Sequence, residues 1–293
     1  MLRLLTWNVQ WCYGLDQVVD VARIVREARA FADFDLLCLQ EVAINYPRLP
    51  GSPGHDQPAL LRQQLPEFEF FFGPAVDELG RGGERQQFGN LIASRLPVTQ
   101  VSHHLLPYPA DPGKKSMPRS CTVATVHSAV GAVRVMTAHL EFYSRRQRSA
   151  QVQAMRALHA QACEQAAFPP QDDETGWPFQ NKVHTRHAIL CGDWNLEPGS
   201  EEHLALQQPF EPIASPAAPN GFVPDQLFDA WNLAHPGQPH APTFQLYDRS
   251  YRPAPITVDF IFVSAGLRQH VQRVEANLQS KASDHQPMLM ELG

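Results

Sequence analysis

Short apolar runs of strand length recur along this sequence, and several of them end in a polar or charged residue. Asn8 follows the run LLTW, and Glu41 follows LLCLQ. His139 follows VMTA, and Asp193 follows AILCG. Such runs are typical of buried strands, and sheet enzymes place their sites at strand ends. A polar residue after a strand is also an ordinary exit to solvent, so only the set as a whole predicts a site there.

Segments of helical spacing alternate with these runs, which is typical of an α/β or α+β sheet protein. Leu2 to Val9 is predicted as the first strand, and Leu36 to Leu39 as a second, buried strand. Between them, apolar residues from Val18 to Ala28 recur at helical spacing, and Asp16 is predicted to cap this helix. Residues 45 to 58 are rich in proline and are predicted to form a loop.

The middle of the chain is predicted to form an antiparallel meander followed by a helix. Ser144 and Gln147 resemble a capping box at the start of this helix, which is expected to end before Pro169. Residues 169 to 186 lack periodicity and are predicted to be a surface loop or insertion. The meander strands are Gly89 to Ser94, Val98 to Leu106, Cys121 to His127 and Ala132 to Leu140, and the later strands are Ala188 to Cys191, Val258 to Val263 and Met288 to Leu292.

Charge and cysteine usage exclude some classes of protein. The 293 residues carry 24 Lys and Arg against 30 Asp and Glu, a formal balance of −6, so any contact with nucleic acid needs a local basic cluster. No apolar run reaches about 18 residues and no signal-peptide pattern is present, so we expect a cytoplasmic monomer without stable membrane insertion. The five cysteines lack a Cys-x-x-Cys pair and are predicted to be reduced core residues.

Six short motifs taken together are far more specific than any single residue. They occur along the chain as Thr6-Trp7-Asn8-Val9, Leu39-Gln40-Glu41-Val42, Thr137-Ala138-His139-Leu140, Gly192-Asp193-Trp194-Asn195, Val258-Asp259-Phe260-Ile261 and Ser283-Asp284-His285-Gln286-Pro287. This set resembles the endonuclease/exonuclease/phosphatase superfamily, with its deoxyribonuclease I-like fold, over essentially the whole chain. The resemblance implies a four-layered α/β sandwich in which two packed mixed β-sheets are flanked by helices. Because the site needs both Asn8 and His285, residues 1–293 are predicted to form one domain.

The resemblance also implies a metal-dependent hydrolase of phosphate esters. A hard cation such as Mg²⁺ or Mn²⁺ prefers carboxylate and water oxygens and neutralises charge on the phosphate. Glu41 resembles the principal metal-ligand glutamate of the family, and Asp284 fits a second metal-binding position. Asn8 is placed with them and is expected to hydrogen-bond the catalytic carboxylate or a metal-bound water. Gln10 stands where some family nucleases have an aspartate, so we expect weaker metal binding, or binding by Glu41 and Asp284 alone.

The remaining motif residues are implied to carry the catalysis. Asp193 is expected to orient or deprotonate the attacking water, and Asn195 to donate to a phosphate oxygen. Asp259 and His285 match an Asp–His pair in which the carboxylate fixes the imidazole tautomer and raises its pKa. The histidine then serves either as general base or as an imidazolium that stabilises the phosphorane. His139 resembles a histidine of the deoxyribonuclease and sphingomyelinase branches, where it contacts the phosphate or helps the leaving group.

Three further residues are predicted to bind substrate. Asn90 matches a family strand start that faces the site, and Arg119 is expected to reach a phosphate oxygen with its planar guanidinium. Arg148 belongs, with Arg145 and Arg146, to the densest cationic run of the chain. This run is either a solvated helix face or a contact for a phosphate backbone. Ordinary turn or surface roles are the alternative for Asn90 and Arg119.

The leading function from sequence is a Mg²⁺- or Mn²⁺-dependent phosphodiesterase that attacks DNA, RNA or oligonucleotides directly with water. The alternative is a phosphatase or phosphodiesterase of a small-molecule or lipid head-group substrate, such as a sphingomyelinase or an inositol phosphatase. A catalytically inactive binding protein is disfavoured because the acidic and histidine motif residues are retained. The cleft walls are predicted to be residues 44–58, 73–88, 107–119, 168–186 and 211–225.

Overall fold

A computed structural model describes residues 1–173, 175–180, 182–248, 250 and 253–293. The strands are β1 (Leu2–Asn8), β2 (Leu36–Ile44), β3 (Glu69–Leu79), β4 (Arg85–Ser94), β5 (Val98–Leu105), β6 (Ser120–Ser128), β7 (Gly131–His139), β8 (Ala188–Asp193), β9 (Ile213–Ser215), β10 (Ala218–Phe222), β11 (Leu227–Asp229), β12 (Asp259–Ser264), β13 (Val271–Ala276) and β14 (Met288–Leu292). The α-helices are α1 (Val21–Phe31), α2 (Gln57–Gln64), α3 (Arg145–Ala167), α4 (Glu201–Gln207) and α5 (Ala230–Ala234), and short 3₁₀ helices span Gln10–Cys12, Trp177–Phe179 and Ala265–His270.

Two mixed six-stranded sheets form the centre of the fold. The first has the strand order β13-β14-β1-β2-β4-β3, and the second has the order β11-β12-β8-β7-β6-β5. Each sheet contains one parallel pair, β1 with β2 in the first and β7 with β8 in the second. The remaining pairings are antiparallel, and a separate two-stranded sheet joins β9 to β10.

Three apolar cores lie between four layers, which confirms the predicted sandwich. The middle core joins the sheets, with Leu4 and Cys38 from the first and Val135 from the second. An outer core packs the first sheet against α1 and α2, and another packs the second sheet against α3 and α4. The central strands are therefore buried on both faces, which explains why they read as nearly continuous apolar runs.

Several element boundaries differ from the predicted ones. Asp16 does not cap α1: the carboxylate of Asp20 accepts from the Arg23 N–H at 2.9 Å, and Asp16 pairs with the Arg23 guanidinium. Helix α2 begins at the end of the predicted loop, because Asp56 caps it and Pro58 is tolerated in a first helical turn. The predicted meander is divided, since β4 pairs with β2 and β3 in the first sheet while β5, β6 and β7 pair in the second.

Other predictions hold in the structure. Ser144 caps α3, with its hydroxyl accepting from the Gln147 N–H at 3.1 Å, and the helix ends at Ala167. The predicted insertion at 169–186 contains one short helix, Trp177–Phe179, and its positions 174 and 181 lie outside the described residues. All five cysteines are free and buried. Within the described residues, the helices are all too short or too polar to cross a membrane.

Candidate active site

The carboxyl ends of the two parallel strand pairs meet at one edge of the sandwich. Asn8 ends β1, His139 ends β7 and Asp193 ends β8, so three strands deliver polar side chains to the same place. Glu41 lies within β2, where the register with β4 shifts between Leu39 and Val42. The backbone φ of Glu41 is 60°. This local irregularity of the strand directs the Glu41 side chain into the site rather than into one of the apolar cores.

Asn8 connects the acidic residues of both sheets. Its side-chain Nδ2 donates to Glu41 Oε1 at 3.0 Å and to Asp193 Oδ2 at 2.9 Å, and it lies 3.5 Å from His285 Nε2. Its Oδ1 accepts the backbone N–H of Gln10 at 3.0 Å, so this oxygen is already occupied by a donor. The Asn8 amide therefore hydrogen-bonds one carboxylate from each sheet, and its expected roles at the carboxylate and at the metal stay predictions.

Asp193 is buried at the junction of the two sheets. Burial, only partly offset by the nearby His285, raises the pKa of Asp193 to about 7. Its Oδ2 lies 3.3 Å from His139 Nε2 and 3.7 Å from His285 Nε2. The preceding Gly192 has a φ of 133°, and a Cβ there would lie 2.0 Å from the Ala138 carbonyl oxygen, so glycine lets β7 and β8 approach closely. This close approach sets the separation of Asp193 from His139.

His285 and Asp259 form the predicted pair. His285 Nδ1 lies 2.9 Å from Asp259 Oδ2, and the Phe244 ring packs over the imidazole with centroids 4.6 Å apart. Burial opposes the charged imidazole, but the carboxylates of Asp259 and Asp193 outweigh it and raise the pKa of His285 to about 10. His285 is therefore protonated at neutral pH, and its Nε2 points toward Asp193.

Two carboxylates at the site, Glu41 and Asp284, have raised pKa values. Burial and the negative charge of Asp284 raise the pKa of Glu41, and burial raises the pKa of Asp284. Gln10 Nε2 donates to Asp284 Oδ2 at 3.1 Å, so the glutamine stabilises this carboxylate as a neutral donor instead of adding a third charge. Such a pair of oxygen donors fits a hard divalent cation. Glu41, His139 and Asp193 also place one ligand atom each within 4.8 Å of one another, as do Asp193, Asp259 and His285.

Arg119 lies near Glu41. It lines a small cavity together with Glu41, Asn90 and His139, and its Nη1 is buried without a hydrogen-bond partner. Its Nε donates to the fully buried carboxylate of Glu141 at 3.2 Å, which fixes the guanidinium plane. Asn90 Nδ2 donates to the Ser120 carbonyl at 2.8 Å. Burial and then the charge of Arg119 lower the pKa of His139 well below the ordinary range, so His139 is neutral.

The structure brings Asn195 near the site but does not leave the arginine run free. Asn195 Nδ2 donates to the Leu140 carbonyl at 2.9 Å, which uses one of its two N–H groups.

Arg148 Nη1 donates to the carbonyls of Glu141 and Phe142 at 2.9 and 3.0 Å and thereby holds the loop after β7. The run also contains Arg145, which pairs with Glu201 and Glu202, and Arg146, which donates to the Ala110 carbonyl. These groups bind protein atoms, and the phosphate-backbone contact of the run stays a prediction.

A left-handed turn over Gln10, Trp11 and Cys12 positions the Gln10 amide. These residues have φ values of 46°, 44° and 62°. Each non-glycine residue in this conformation costs about 1–2 kcal/mol. The turn is held by tertiary hydrogen bonds: Trp11 Nε1 donates to the Pro50 carbonyl, and Gln57 Nε2 donates to the Trp11 carbonyl. Backbone strain is therefore concentrated beside the candidate metal ligands.

Three contributors were missed from the sequence. Glu141 holds Arg119, Phe244 covers His285, and Gln40 donates to Thr6 and Thr137 hydroxyls and so links the two sheets below the site. Glu141 directly follows the Thr137-Ala138-His139-Leu140 motif, and this position was a usable signal. Phe244 lies in a loop without any motif, so the sequence offered nothing to identify it.

A two-sheet sandwich whose edge gathers buried carboxylates, an Asp–His pair and a fixed arginine is the arrangement of a phosphoric ester hydrolase. The chain belongs to the Endonuclease/Exonuclease/phosphatase family, whose sequence model matches residues 5–285. Members of this family are phosphoric ester hydrolases and generally depend on divalent metals. Among curated proteins, the comparison finds no match to this chain.

Solved structures with the same fold include both phosphatase and DNA-bound proteins. An endonuclease/exonuclease/phosphatase from Beutenbergia cavernae is 26% identical with a TM-score of 0.62, covering 100% of this chain and 72% of that chain. The mannosyl-6-phosphatase Bt3783 of Bacteroides thetaiotaomicron is 16% identical with a TM-score of 0.65, covering 100% of both chains. TDP2 of D. rerio, complexed with a single-strand DNA product, is 19% identical with a TM-score of 0.61, covering 100% and 98%.

Proposed function

We propose that this protein is a divalent-metal-dependent phosphodiesterase that hydrolyses a small or short phosphate ester by direct attack of water. The observation that carries the proposal is the single Asn8 amide that joins Glu41 to Asp193 beside His285. This contact unites the candidate metal, base and imidazolium groups of both sheets in one site. It also supports treating residues 1–293 as one domain.

Glu41 and Asp284 are the residues that would hold the cation, Mg²⁺ or Mn²⁺. Burial is the main cause of the raised pKa values of both carboxylates, and an oxygen-only donor pair suits these hard ions. When bound, the cation neutralises charge on the phosphate and polarises the ester.

Asp193 is the candidate general base. Its pKa of about 7 lets it accept the proton of the attacking water near neutral pH, and Asn8 holds the carboxylate in place. The water oxygen forms a bond to phosphorus while the ester P–O bond breaks. His285, kept protonated by Asp259, stabilises the negative charge that develops on the phosphoryl oxygens. Neutral His139 is placed to donate a hydrogen bond to the departing oxygen or to a phosphate oxygen.

Arg119 and Asn90 are proposed to bind the phosphoryl group. Arg119 lines the cavity that Glu41 and His139 also line, and its buried Nη1 has no hydrogen-bond partner. Glu141 fixes the guanidinium from behind, so its free N–H groups are already oriented for a phosphate oxygen. Asn195 retains one amide N–H for the same purpose.

A small or short substrate is favoured over a long nucleic acid because the arginines of α3 are engaged with protein atoms. The second candidate, a nuclease, is favoured by Lys114 and Lys115, two exposed cations on a predicted wall of the cleft. Lys115 Nζ lies 5.5 Å from the centre of the Tyr143 ring. These lysines offer a short positive surface next to the loop that follows His139.

The first experiment measures hydrolysis of bis-p-nitrophenyl phosphate with Mg²⁺, with Mn²⁺ and in chelator. We expect turnover only with added metal, and no requirement for Zn²⁺. Glu41→Gln is expected to raise the Mg²⁺ concentration needed for half-maximal rate, whereas the exposed control Glu69→Gln leaves it unchanged. Full turnover in metal-free buffer would refute the mechanism.

The second experiment decides between the two substrate classes. A nuclease that contacts several phosphates loses roughly 0.7 to 0.9 log units of affinity per contact for each log unit of salt. We expect a slope equivalent to one or two contacts with an oligonucleotide. A steeper slope that is reduced by Lys114→Glu and Lys115→Glu together would establish the nuclease instead.

A further inference from the structure

A second cavity, of 220 Å³, lies on the outer face of the second sheet, away from the active site. It is bounded by β5, β6 and β7, by α3 and by residues 183–185. Arg134 of β7 lies in its wall, five residues before His139, which corresponds to about 16 Å along the strand. The cavity shares no lining residue with the catalytic cleft. Its wall includes part of the segment 168–186 that was expected to border that cleft.

Arg134 is a buried cation whose hydrogen bonds are incomplete. The residue is 7% exposed. Its Nη1 donates to the Thr185 carbonyl at 3.0 Å and its Nη2 donates to His159 Nδ1 at 2.8 Å. Its Nε is buried and has no partner. Burying an N–H donor without an acceptor costs free energy, and a bound acceptor would remove that cost.

The described groups around Arg134 do not supply a negative charge. His159 is neutral at neutral pH, because burial and then Arg134 itself lower its pKa to about 4. Cys163 is a neutral thiol, because burial raises its pKa. The nearby carboxylate of Asp225 pairs with Arg186. Burial accordingly lowers the pKa of Arg134, as expected for a guanidinium without a carboxylate partner.

The wall of the cavity has the composition of an anion site. The described residues that line it include no Asp or Glu, whereas His104, His184, Gln161 and Gln165 contribute side chains that can donate. His184 Nε2 is a second buried nitrogen without a partner. Arg134 and His184 each have one buried nitrogen without a hydrogen-bond partner, and both residues line the same cavity. An anion bound in the cavity would neutralise the charge of Arg134 and would accept hydrogen bonds from the donors of the wall.

We propose that this cavity binds a phosphate-sized oxyanion through Arg134 and His184. The site is separate from the catalytic one, and bound phosphate would contact β7 and α3 together. Such a ligand would stabilise the second sheet without entering the cleft. This proposal does not depend on the substrate of the active site.

The test is calorimetric titration of the full chain with inorganic phosphate in metal-free buffer. Gln165→Glu adds a carboxylate at the exposed mouth of the cavity and is expected to weaken phosphate binding by about tenfold or more. Gln153→Glu is the matched control, because Gln153 is an exposed residue of the same helix outside the cavity. Arg134→Met is expected to abolish the binding. Both Glu variants should keep wild-type turnover of bis-p-nitrophenyl phosphate.

A variant in the catalytic cleft, His285→Ala, distinguishes phosphate binding in the Arg134 cavity from phosphate binding at the active site. We expect His285→Ala to retain the binding that Gln165→Glu weakens. Equal affinities in wild type, Gln165→Glu and Gln153→Glu would overturn the proposal, even if Arg134→Met fails to fold. So would loss of all binding in His285→Ala, or no binding by wild type at millimolar phosphate.

Discussion

Protonation of His159 is expected to destabilise the fold in mildly acidic solution. The neutral ring satisfies both nitrogens: Nδ1 accepts from Arg134 Nη2 at 2.8 Å and Nε2 donates to the Asp225 carbonyl at 2.8 Å. A second proton would have to sit on Nδ1, facing the guanidinium. Arg156, on the same helix, adds a further cation, and the carboxylate of Asp225 is already paired with Arg186. These contacts explain why the pKa is about 4 in the folded protein.

The size and sign of the effect follow from linkage. In the unfolded chain the imidazole has a pKa near 6.5, so between pH 6.5 and about 4 the unfolded state binds the extra proton and the folded state does not. Stability therefore falls as the pH is lowered through this window. The full difference of about 2.5 pKa units corresponds to about 3 kcal/mol, of which about 2 kcal/mol is lost between pH 7.5 and pH 5.

Urea unfolding at pH 7.5 and pH 5 measures this loss. Because other histidines also titrate, the decisive quantity is the difference between wild type and His159→Gln. A glutamine can accept from Arg134 and donate to Asp225 but cannot be protonated, so its stability should fall by about 2 kcal/mol less than that of wild type. His127→Gln, at an exposed position, is the matched control. The buffers must be free of phosphate. Equal losses in wild type and His159→Gln would refute the reasoning.

Three other predictions concern the candidate active site. Asp193→Ala and His285→Ala should each lower kcat by about 10²- to 10⁴-fold with cooperative thermal unfolding retained, and near-wild-type rates would remove the residue from the mechanism. Asp259→Asn should lower kcat less than His285→Ala does if its role is orientation; an equal or larger loss in the same assay would assign it a direct role. Glu141→Gln should raise KM more than it lowers kcat, because Arg119 loses its charged partner, and an unchanged KM would contradict that positioning role.

The sequence was sufficient for the central strands but not for their assignment to sheets. Strands such as β1 and β8 are buried on both faces, so their apolar runs were visible without any tertiary information. Strand β4 has a similar run, yet its partners are β2 and β3, and an apolar pattern does not specify a partner. Strand β13 was missed because it is short and alternates poorly, with the adjacent Gln272 and Arg273 both exposed.

The candidate site was predictable at the level of residues and less so at the level of contacts. Strand-end positions and motifs identified Asn8, Asp193 and His285, which the structure brings together. The engagement of Arg148 with backbone carbonyls was not predictable, because its acceptors belong to a loop whose path depends on the fold. The left-handed turn at Gln10 could not be predicted either, since it is imposed by distant hydrogen bonds against local preference.

The hydrogen-bonded site has a consequence for the order of events during synthesis. Asn8 and His285 are 277 positions apart, and β1 pairs with β14 on one side and β2 on the other. Contacts of such high sequence separation form late, and N-terminal segments of a nascent chain fold before the C-terminal ones exist. Until residue 285 has left the ribosome, the edge of β1 that β14 will cover is open and the imidazolium is missing. The nascent chain is therefore expected to be inactive until residue 285 has emerged, and its activity would report completion of the whole fold.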